Sequence, residues 1–396
     1  MKRLSIKDLR RAWLEVDVDA LRRNCRRLAR HVGPQCRLLP MVKADGYGLG
    51  AVRVARALAG EEPWGLGVAT AAEGEELRQA GWEGRVVVFS PCPQQDAESL
   101  LASDLEAAAS SVDGLRALAG AASARERELA IHLNLDTGMG RLGLDAGRVD
   151  EWAGSVREAL RESPLRLVST FTHYHSAETD DGASDGQWGR FRDALRSMER
   201  NGLDPGLRHA ANSAAAVRWP ERAADVVRPG IFLYGGAPVD GELHAEAVVR
   251  LRARVLEVRR VSAGTTVSYG ATYRTERPSR LATLGLGYGD GLRRSLSNRG
   301  EALIHGRAAP IRGRVCMDIT VVDVTDRPDV RSGDVATLLG HDGESEISLE
   351  ELASTCDTIA HEILTGFTDR LPRLEVGEAQ ASPSSAAESG TERGTT

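Results

Sequence analysis

Between residues 37 and 233 the chain alternates short apolar runs with amphipathic stretches, and it does so about eight times. The runs at 37–42, 64–69, 85–89, 105–109, 129–133, 165–171, 207–209 and 225–233 are dominated by Val, Leu, Ile and Ala, the pattern of strands buried on both faces. The stretches between them, such as 51–58, 71–80, 112–119, 149–160 and 187–201, repeat apolar residues at helical spacing. Near-even βα repeats over about 200 residues, with no break in the rhythm, have the size and period of a (β/α)8 barrel. A doubly wound sheet fits less well, because its strand order reverses and this rhythm does not.

Near residue 244 the rhythm changes. From 247 onward apolar residues recur at period two, between turns such as Ser262-Ala263-Gly264 and His341-Asp342-Gly343, and helical patterning returns only at 348–364. The expected organisation is an α/β chain with a (β/α)8 TIM barrel at 12–243, a mainly β C-terminal domain at 244–375 and a disordered tail at 376–396. The barrel part would begin with a strand at 12–17, after which Asp17 or Asp19 caps a basic amphipathic helix at 20–29. A net charge of −6 gives no basic footprint for nucleic acid or an anionic membrane surface. No apolar run approaches the roughly 20 residues of a membrane helix, and the N-terminus has no apolar stretch after its charges to serve as a secretory signal. Five scattered cysteines without Cys-x-x-Cys spacing favour a reducing, cytoplasmic setting and offer no metal site.

Of 51 basic residues only Lys2, Lys7 and Lys43 are lysine; the rest are arginine. Lys43 follows the first apolar run and opens the glycine-rich turn Ala44-Asp45-Gly46-Tyr47-Gly48. Arginine would keep the charge and most of the reach. It cannot supply an amine that loses its proton near neutral pH and attacks a carbonyl, which a buried lysine can. The expected chemistry at Lys43 is a Schiff base, with pyridoxal 5'-phosphate as the best-fitting aldehyde.

Active sites of barrels lie at the C-terminal ends of the strands. Those ends are unusually polar here: Asn134-Leu135-Asp136-Thr137-Gly138-Met139-Gly140-Arg141, Thr172-His173-Tyr174-His175, His209-Ala210-Ala211-Asn212-Ser213 and Arg228-Pro229-Gly230. A phosphate needs backbone N–H groups at a helix start or a nest, with hydroxyl donors beside them. Tyr47, Asn212, Ser213, Gly230 and Ile231 could provide these. No Gly-rich loop ending in Lys-Ser/Thr is present, which argues against a nucleoside triphosphate. His173 and His175 share a strand face at i,i+2, but no further ligand cluster joins them. The six tyrosines (Tyr47, Tyr174, Tyr234, Tyr269, Tyr273 and Tyr288) lie in these clusters or in glycine-rich turns of the second part. For Tyr269 a packing role and an acid/base role weigh equally on chemistry alone.

The motifs Val42-Lys43-Ala44-Asp45-Gly46-Tyr47-Gly48, Asp136-Thr137-Gly138-Met139-Gly140-Arg141, Arg228-Pro229-Gly230, Val267-Ser268-Tyr269-Gly270, Gly287-Tyr288-Gly289-Asp290-Gly291 and Gly313-Arg314-Val315-Cys316-Met317-Asp318 resemble those of alanine racemases, in order along nearly the whole chain. The resemblance implies a head-to-tail homodimer using pyridoxal phosphate to interconvert L- and D-alanine, with D-alanine supplied to peptidoglycan. It implies Lys43 and Tyr269 as bases on opposite faces of the substrate, Tyr269 reaching in from the partner subunit. It further implies Arg228 on the pyridine nitrogen with His173 beside it. Tyr47, Asn212, Ser213, Gly230 and Ile231 would lie around the cofactor, and Arg141, Met317, Tyr288 and Asp318 would face the substrate. A related serine or broad-specificity racemase is the nearest alternative. Two positions depart from the family pattern. Asn134 stands where many members carry a carbamylated lysine. Asp369 stands where a phosphate-binding tyrosine is often found; a carboxylate there would repel phosphate and cost a cofactor contact.

Overall fold

The computed structural model describes residues 11–91, 97–179, 182–239 and 243–377. Among them, eight short parallel strands form the barrel: Arg37–Leu38, Leu66–Val68, Val86–Val88, Glu106–Ala109, Leu129–Asp136, Leu165–Phe171, Leu207–His209 and Val226–Val227. Six of these, from Leu66–Val68 to Leu207–His209, are paired in chain order in one sheet, and Val226–Val227 pairs with Arg37–Leu38. Backbone bonds join the two pieces at both seams. At one, Asp225 N–H donates to Arg208 O (2.9 Å) and Arg228 N–H to Ala211 O (3.0 Å). At the other, Val42 N–H donates to Gly67 O and Gly67 N–H to Pro40 O, both at 2.8 Å. Every strand thus has two neighbours, and the ring closes in the order of the sequence.

The strand lengths differ from expectation at one place. The eighth run, expected as a strand over 225–233, contributes only Val226–Val227. Pro229 has no N–H for a ladder, and the chain turns instead, Leu233 N–H donating to Gly230 O at 2.9 Å. The turn brings Arg228-Pro229-Gly230 to the C-terminal mouth. The helix expected after the third strand is Ala97–Ala102, with 92–96 outside the described residues.

The strand Ala12–Asp17, expected with the barrel, lies in the other sheet. It pairs antiparallel with Val249–Val261 and parallel with Arg373–Val376. Trp13, Leu14 and Val16 are buried in it, and buried Glu15 accepts from Trp13 Nε1 (3.0 Å) and Arg252 Nε (3.4 Å). Val249–Val261 also pairs with Ser279–Leu284 and Val335–Asp342, making it the spine of the β part. From Ala12 the chain therefore runs in the second sheet, crosses to the barrel through the helix Val18–Val32 and returns at Val249. Asp17, not Asp19, caps that helix, its carboxylate accepting from Asp19 N–H (3.1 Å) and Ala20 N–H (2.8 Å). Two helices, Leu349–Thr355 and Ala360–Thr365, replace the continuous helical stretch expected at 348–364. The tail expected at 376–396 starts within a strand, since Val376 ends Arg373–Val376; residues 378–396 lie outside the described residues. No helix among the described residues is long and apolar enough to cross a membrane.

The Asp17 cap sits where the chain leaves one sheet for the other. Replacing Asp17 by Ala removes acceptors from two helix N–H groups and is expected to lower stability by about 1 kcal/mol, read as a shift in denaturant midpoint at unchanged slope.

Candidate active site

The first barrel strand leads into a turn that runs against the chirality of L-residues. Ala44, Asp45, Gly46 and Tyr47 have φ of 52°, 53°, 60° and 56°, one turn of left-handed helix. Such a turn costs roughly 1–2 kcal/mol for each non-glycine residue, so its surroundings must hold it. Ala44 N–H donates to Glu73 Oε1 and Ala51 N–H to Asp45 Oδ1, both at 2.7 Å. Gly50 N–H closes onto Asp45 O at 2.8 Å. Glu73, on the helix Ala71–Gln79, is itself fixed as the acceptor of Ala69 N–H (2.7 Å) and, in that helix's capping box, of Thr70 N–H (3.3 Å). At Gly48, with φ +78°, a Cβ would stand 2.5 Å from Leu364 O in the β part, so the turn is clamped between the two parts of the chain.

The turn delivers Lys43 and Tyr47 to one cavity at the C-terminal mouth of the barrel. Asn134, Arg141, His173, Asn212, Ser213, Arg228, Gly230 and Ile231 line it too. Tyr47 is buried and stacks on Tyr234, ring centroids 4.4 Å apart, and Tyr234 Oη donates to Met41 O at 2.8 Å. A Cβ at Gly230 would lie 2.1 Å from Tyr47 Oη, so glycine is required for the phenol to reach its place. Ser213 Oγ accepts from Gly230 N–H (2.9 Å) and Phe232 N–H (3.3 Å), leaving its own proton to donate. Asn212 caps the Ser213–Arg218 helix, its Oδ1 accepting from Ala215 N–H at 2.9 Å.

Arg228 is buried and its partners are neutral. It donates to Thr172 O (2.7 Å), His209 Nδ1 (2.8 Å), His173 Nδ1 (3.2 Å) and Ala210 O (3.2 Å). Burial, then the positive charges of Arg228, Arg141 and Lys43, push the His173 pKa down to about 3, so its ring is neutral and free to accept. Lys43 is the only lysine among the described residues. Its side chain is reachable from solvent in the single chain, yet the crowded cavity wall and then Arg141 lower its amine pKa, with Glu73 opposing and Arg228 assisting. Arg141 is exposed at the mouth, and Asn134 turns its amide to Ser110 Oγ at 3.1 Å.

Tyr269, Tyr288, Met317 and Asp318 are not brought to this cavity. Tyr269, Met317 and Asp318 line a separate cleft on the β part, and Tyr269 is 69% exposed. Asp318 pairs with Arg370 at 2.6 Å. Asp369 does not face the cavity either. It is fully exposed and pairs with Arg373 at 3.6 Å, so the expected repulsion of a phosphate has no geometric basis. The residue that enters the cavity from this end of the chain is His361, on Ala360–Thr365, its ring 5.8 Å from that of Tyr47. Burial and the Lys43 charge lower its pKa. Sequence reading missed His361, because a single histidine on a short helix carries no signal of its own.

An amine of lowered pKa, a buried donor-only guanidinium and a phenol seated against a glycine are the fittings of a barrel enzyme that carries an aldehyde cofactor on lysine. The Gly230 cradle, with the Ser213 hydroxyl proton beside it, suits the phosphate end of such a group. Comparison with known proteins gives the same answer. Residues 16–238 match the family model for the alanine racemase N-terminal domain and 248–375 that for the C-terminal domain. The alanine racemase of Carboxydothermus hydrogenoformans is 39% identical, over 93% of this chain and 100% of its own. The structure of alanine racemase from D-cycloserine-producing Streptomyces lavendulae superposes with a TM-score of 0.89 at 35% identity, over 93% and 98% of the two chains. That from Bartonella henselae, with covalently bound pyridoxal phosphate, does so with 0.84 at 29% identity, over 93% and 100%. The chain belongs to the alanine racemase family of isomerases, which are pyridoxal phosphate-dependent.

Because Gly230 makes room for Tyr47, Gly230→Ala should displace the phenol while leaving the fold intact. Loss of one hydrogen bond to a charged group is worth about 1.5–3 kcal/mol, so cofactor affinity should fall roughly 10- to 100-fold in an absorbance titration, with a melting temperature close to wild type.

Proposed function

We propose that this chain interconverts L- and D-alanine as a homodimer, with pyridoxal phosphate carried on Lys43. The observation behind the reading is that Lys43 lines the cavity at the barrel mouth, while Tyr269 stands exposed on the β part, outside that cavity. Inversion at carbon needs a proton removed on one face and returned on the other. Lys43 Nζ serves one face, and burial and the charge of Arg141 lower its pKa from the ordinary amine value, which favours the base form. Oη of Tyr269 of the partner subunit serves the opposite face. Whichever group begins deprotonated sets the direction, so the same pair runs L to D and D to L.

When bound, the cofactor supplies an electron sink for the pair left by the departing α-proton. Arg228 donates to the pyridine nitrogen and, having no lone pair, keeps that nitrogen from taking a proton. Tyr47, Ser213, Gly230 and Ile231 hold the phosphate. Asn212 fixes the Ser213 helix, and His173 steadies Arg228. Arg141 orients the substrate carboxylate. Tyr288, Met317 and Asp318, exposed on the same chain as the donated Tyr269, narrow the approach from the partner side. A serine or broad-specificity racemase is less favoured, since the relatives and structural neighbours described are alanine racemases.

Mixing two inactive variants tests both the roles and the assembly. Lys43→Ala and Tyr269→Phe should each abolish racemisation. When the two are unfolded and refolded together, heterodimers carry one site with both lesions and one with neither, so activity should return to roughly a quarter of wild type. No recovery, or full activity in a monomer on a sizing column, would refute the shared site.

A further inference from the structure

A (β/α)8 barrel interior is normally filled by Val, Ile and Leu. Here it holds an unbroken line of polar side chains. His209 Nδ1 accepts from Arg228 (2.8 Å), and His209 Nε2 meets Ser169 Oγ at 2.7 Å. Ser169 Oγ meets His132 Nδ1 at 2.6 Å, and His132 Nε2 meets Glu106 Oε2 at 2.7 Å. Glu106 is paired in turn with Arg85 at 2.7 Å. Glu106, His132, Ser169 and His209 come one each from four successive strands of the parallel sheet, with His132 and Ser169 in direct register. His132, Ser169 and His209 are fully buried. Glu106 is the first residue of its strand and opens onto a cleft with Arg78, Arg85 and Arg166, whereas Arg228 comes just after the end of its own strand. The line therefore runs from the N-terminal mouth to the catalytic mouth.

Its two ends fix every proton in it. Arg228 only donates, so His209 Nδ1 is bare and His209 Nε2 carries the hydrogen, which Ser169 Oγ accepts. Ser169 then donates to a bare His132 Nδ1, and His132 Nε2–H donates to the Glu106 carboxylate, which only accepts. Burial lowers the pKa of both imidazoles, and the charges of Arg228 near His209 and of Arg85 and Arg166 near His132 add to this; only Glu106 opposes it, at His132. The lowered pKa values favour the neutral rings that this alternation of donors and acceptors uses. Arg228 has no lone pair, so the line cannot pass a proton to the cofactor.

We propose that Glu106, His132, Ser169 and His209 are positioning residues for Arg228, a polarised relay that brings a distant carboxylate to bear on the buried guanidinium and holds its plane. The inference rests on the reading of Arg228 as the pyridine-nitrogen donor. Among the described residues no carboxylate pairs with Arg228 directly, so the relay is the route by which its charge meets an anion. A satisfied polar line in a core that apolar residues could fill brings no stability that packing would not, which points to retention for the site.

The test has an arm that needs no turnover. In the full chain, with and without added pyridoxal phosphate, histidine ring ¹⁵N resonances should show Nε2–H tautomers at His132 and His209, with no titration from about pH 6 to about pH 9. An Nδ1–H tautomer at either ring, or titration of either in that range, overturns the relay whatever the enzyme's activity. In the cofactor-loaded dimer, Ser169→Ala cuts the line. It should lower kcat roughly tenfold with KM little changed, the size typical when an outer partner of a functional side chain is lost, and shift the cofactor absorbance. Ser169→Thr keeps the hydroxyl and should restore both. Glu106→Gln keeps the shape without the charge, and should shift the absorbance in the same direction even where a threonine at 169 prevents folding. A lowered melting temperature with unchanged kcat and spectrum would make the line merely structural and overturn the proposal. Correct tautomers in a protein that does not racemise alanine would instead refute the proposed function and leave the relay standing.

Discussion

The site hangs on a backbone turn of the wrong hand. Four consecutive residues after Lys43 sit in the left-handed region, three of them not glycine. No local preference favours this, and the turn persists because tertiary contacts over-determine it. Glu73 reaches across from the helix Ala71–Gln79 to take Ala44 N–H, Asp45 folds back onto Ala51, and Gly48 is pressed against Leu364. The geometric return is specific. The left-handed turn lets Lys43 and Tyr47, four residues apart, line the same small cavity. The strain is spent on placing an amine and a phenol around one ligand, and glycine at 230 completes the fit.

The electrostatics of the cavity arise from a shortage of acidic groups. Lys43, Arg141 and Arg228 all line it, and the hydrogen-bond partners of Arg228 are histidines and carbonyls. Three cations against the one acidic residue of the lining, Glu178, make a site that favours anions and a neutral amine, and neutral His173 is a consequence of the same field. A substrate carboxylate and a phosphate are both welcome there. The nearest carboxylate linked to Arg228 lies four hydrogen bonds away at Glu106, far enough not to repel either.

Much of this was legible in the sequence, for physical reasons. The barrel rhythm is read from local periodicity, and all eight runs became strands in the expected order. The lysine was visible because arginine had displaced nearly every other amine. What periodicity cannot tell is which sheet a strand joins. Ala12–Asp17 looks like any short strand, and its partners at Val249–Val261 and Arg373–Val376 lie more than two hundred residues on. The interior relay was hidden for the opposite reason. His132 interrupts its apolar run once, and Ser169 stands beside Thr170 in a run that also holds Arg166, so neither residue marks a period of its own. His361 and Asp369 show the limit of motif alignment. Proximity in sequence to a known motif suggested Asp369, and only the packing of Ala360–Thr365 against the left-handed turn reveals that His361 faces the cavity.

The exposures on the two sides of the site carry a last argument. On the barrel side Tyr47, Ser213, Arg228 and Ile231 are buried and hydrogen-bonded or packed before any ligand arrives. On the β side Tyr269, Met317 and Tyr288 are among the most exposed large side chains described. The Tyr269 phenol, on a short turn in which Ser268 and Ala271 adopt positive φ, and the Met317 thioether are held out to water and gain nothing for the single chain. Such exposure is expected of groups that find their surroundings on another molecule. The barrel supplies a preorganised half-site, and the β part presents its residues outward, as a rigid surface can complete a second copy's cavity but not its own. The head-to-tail pairing proposed above would satisfy both halves at once, since each chain offers what the other lacks.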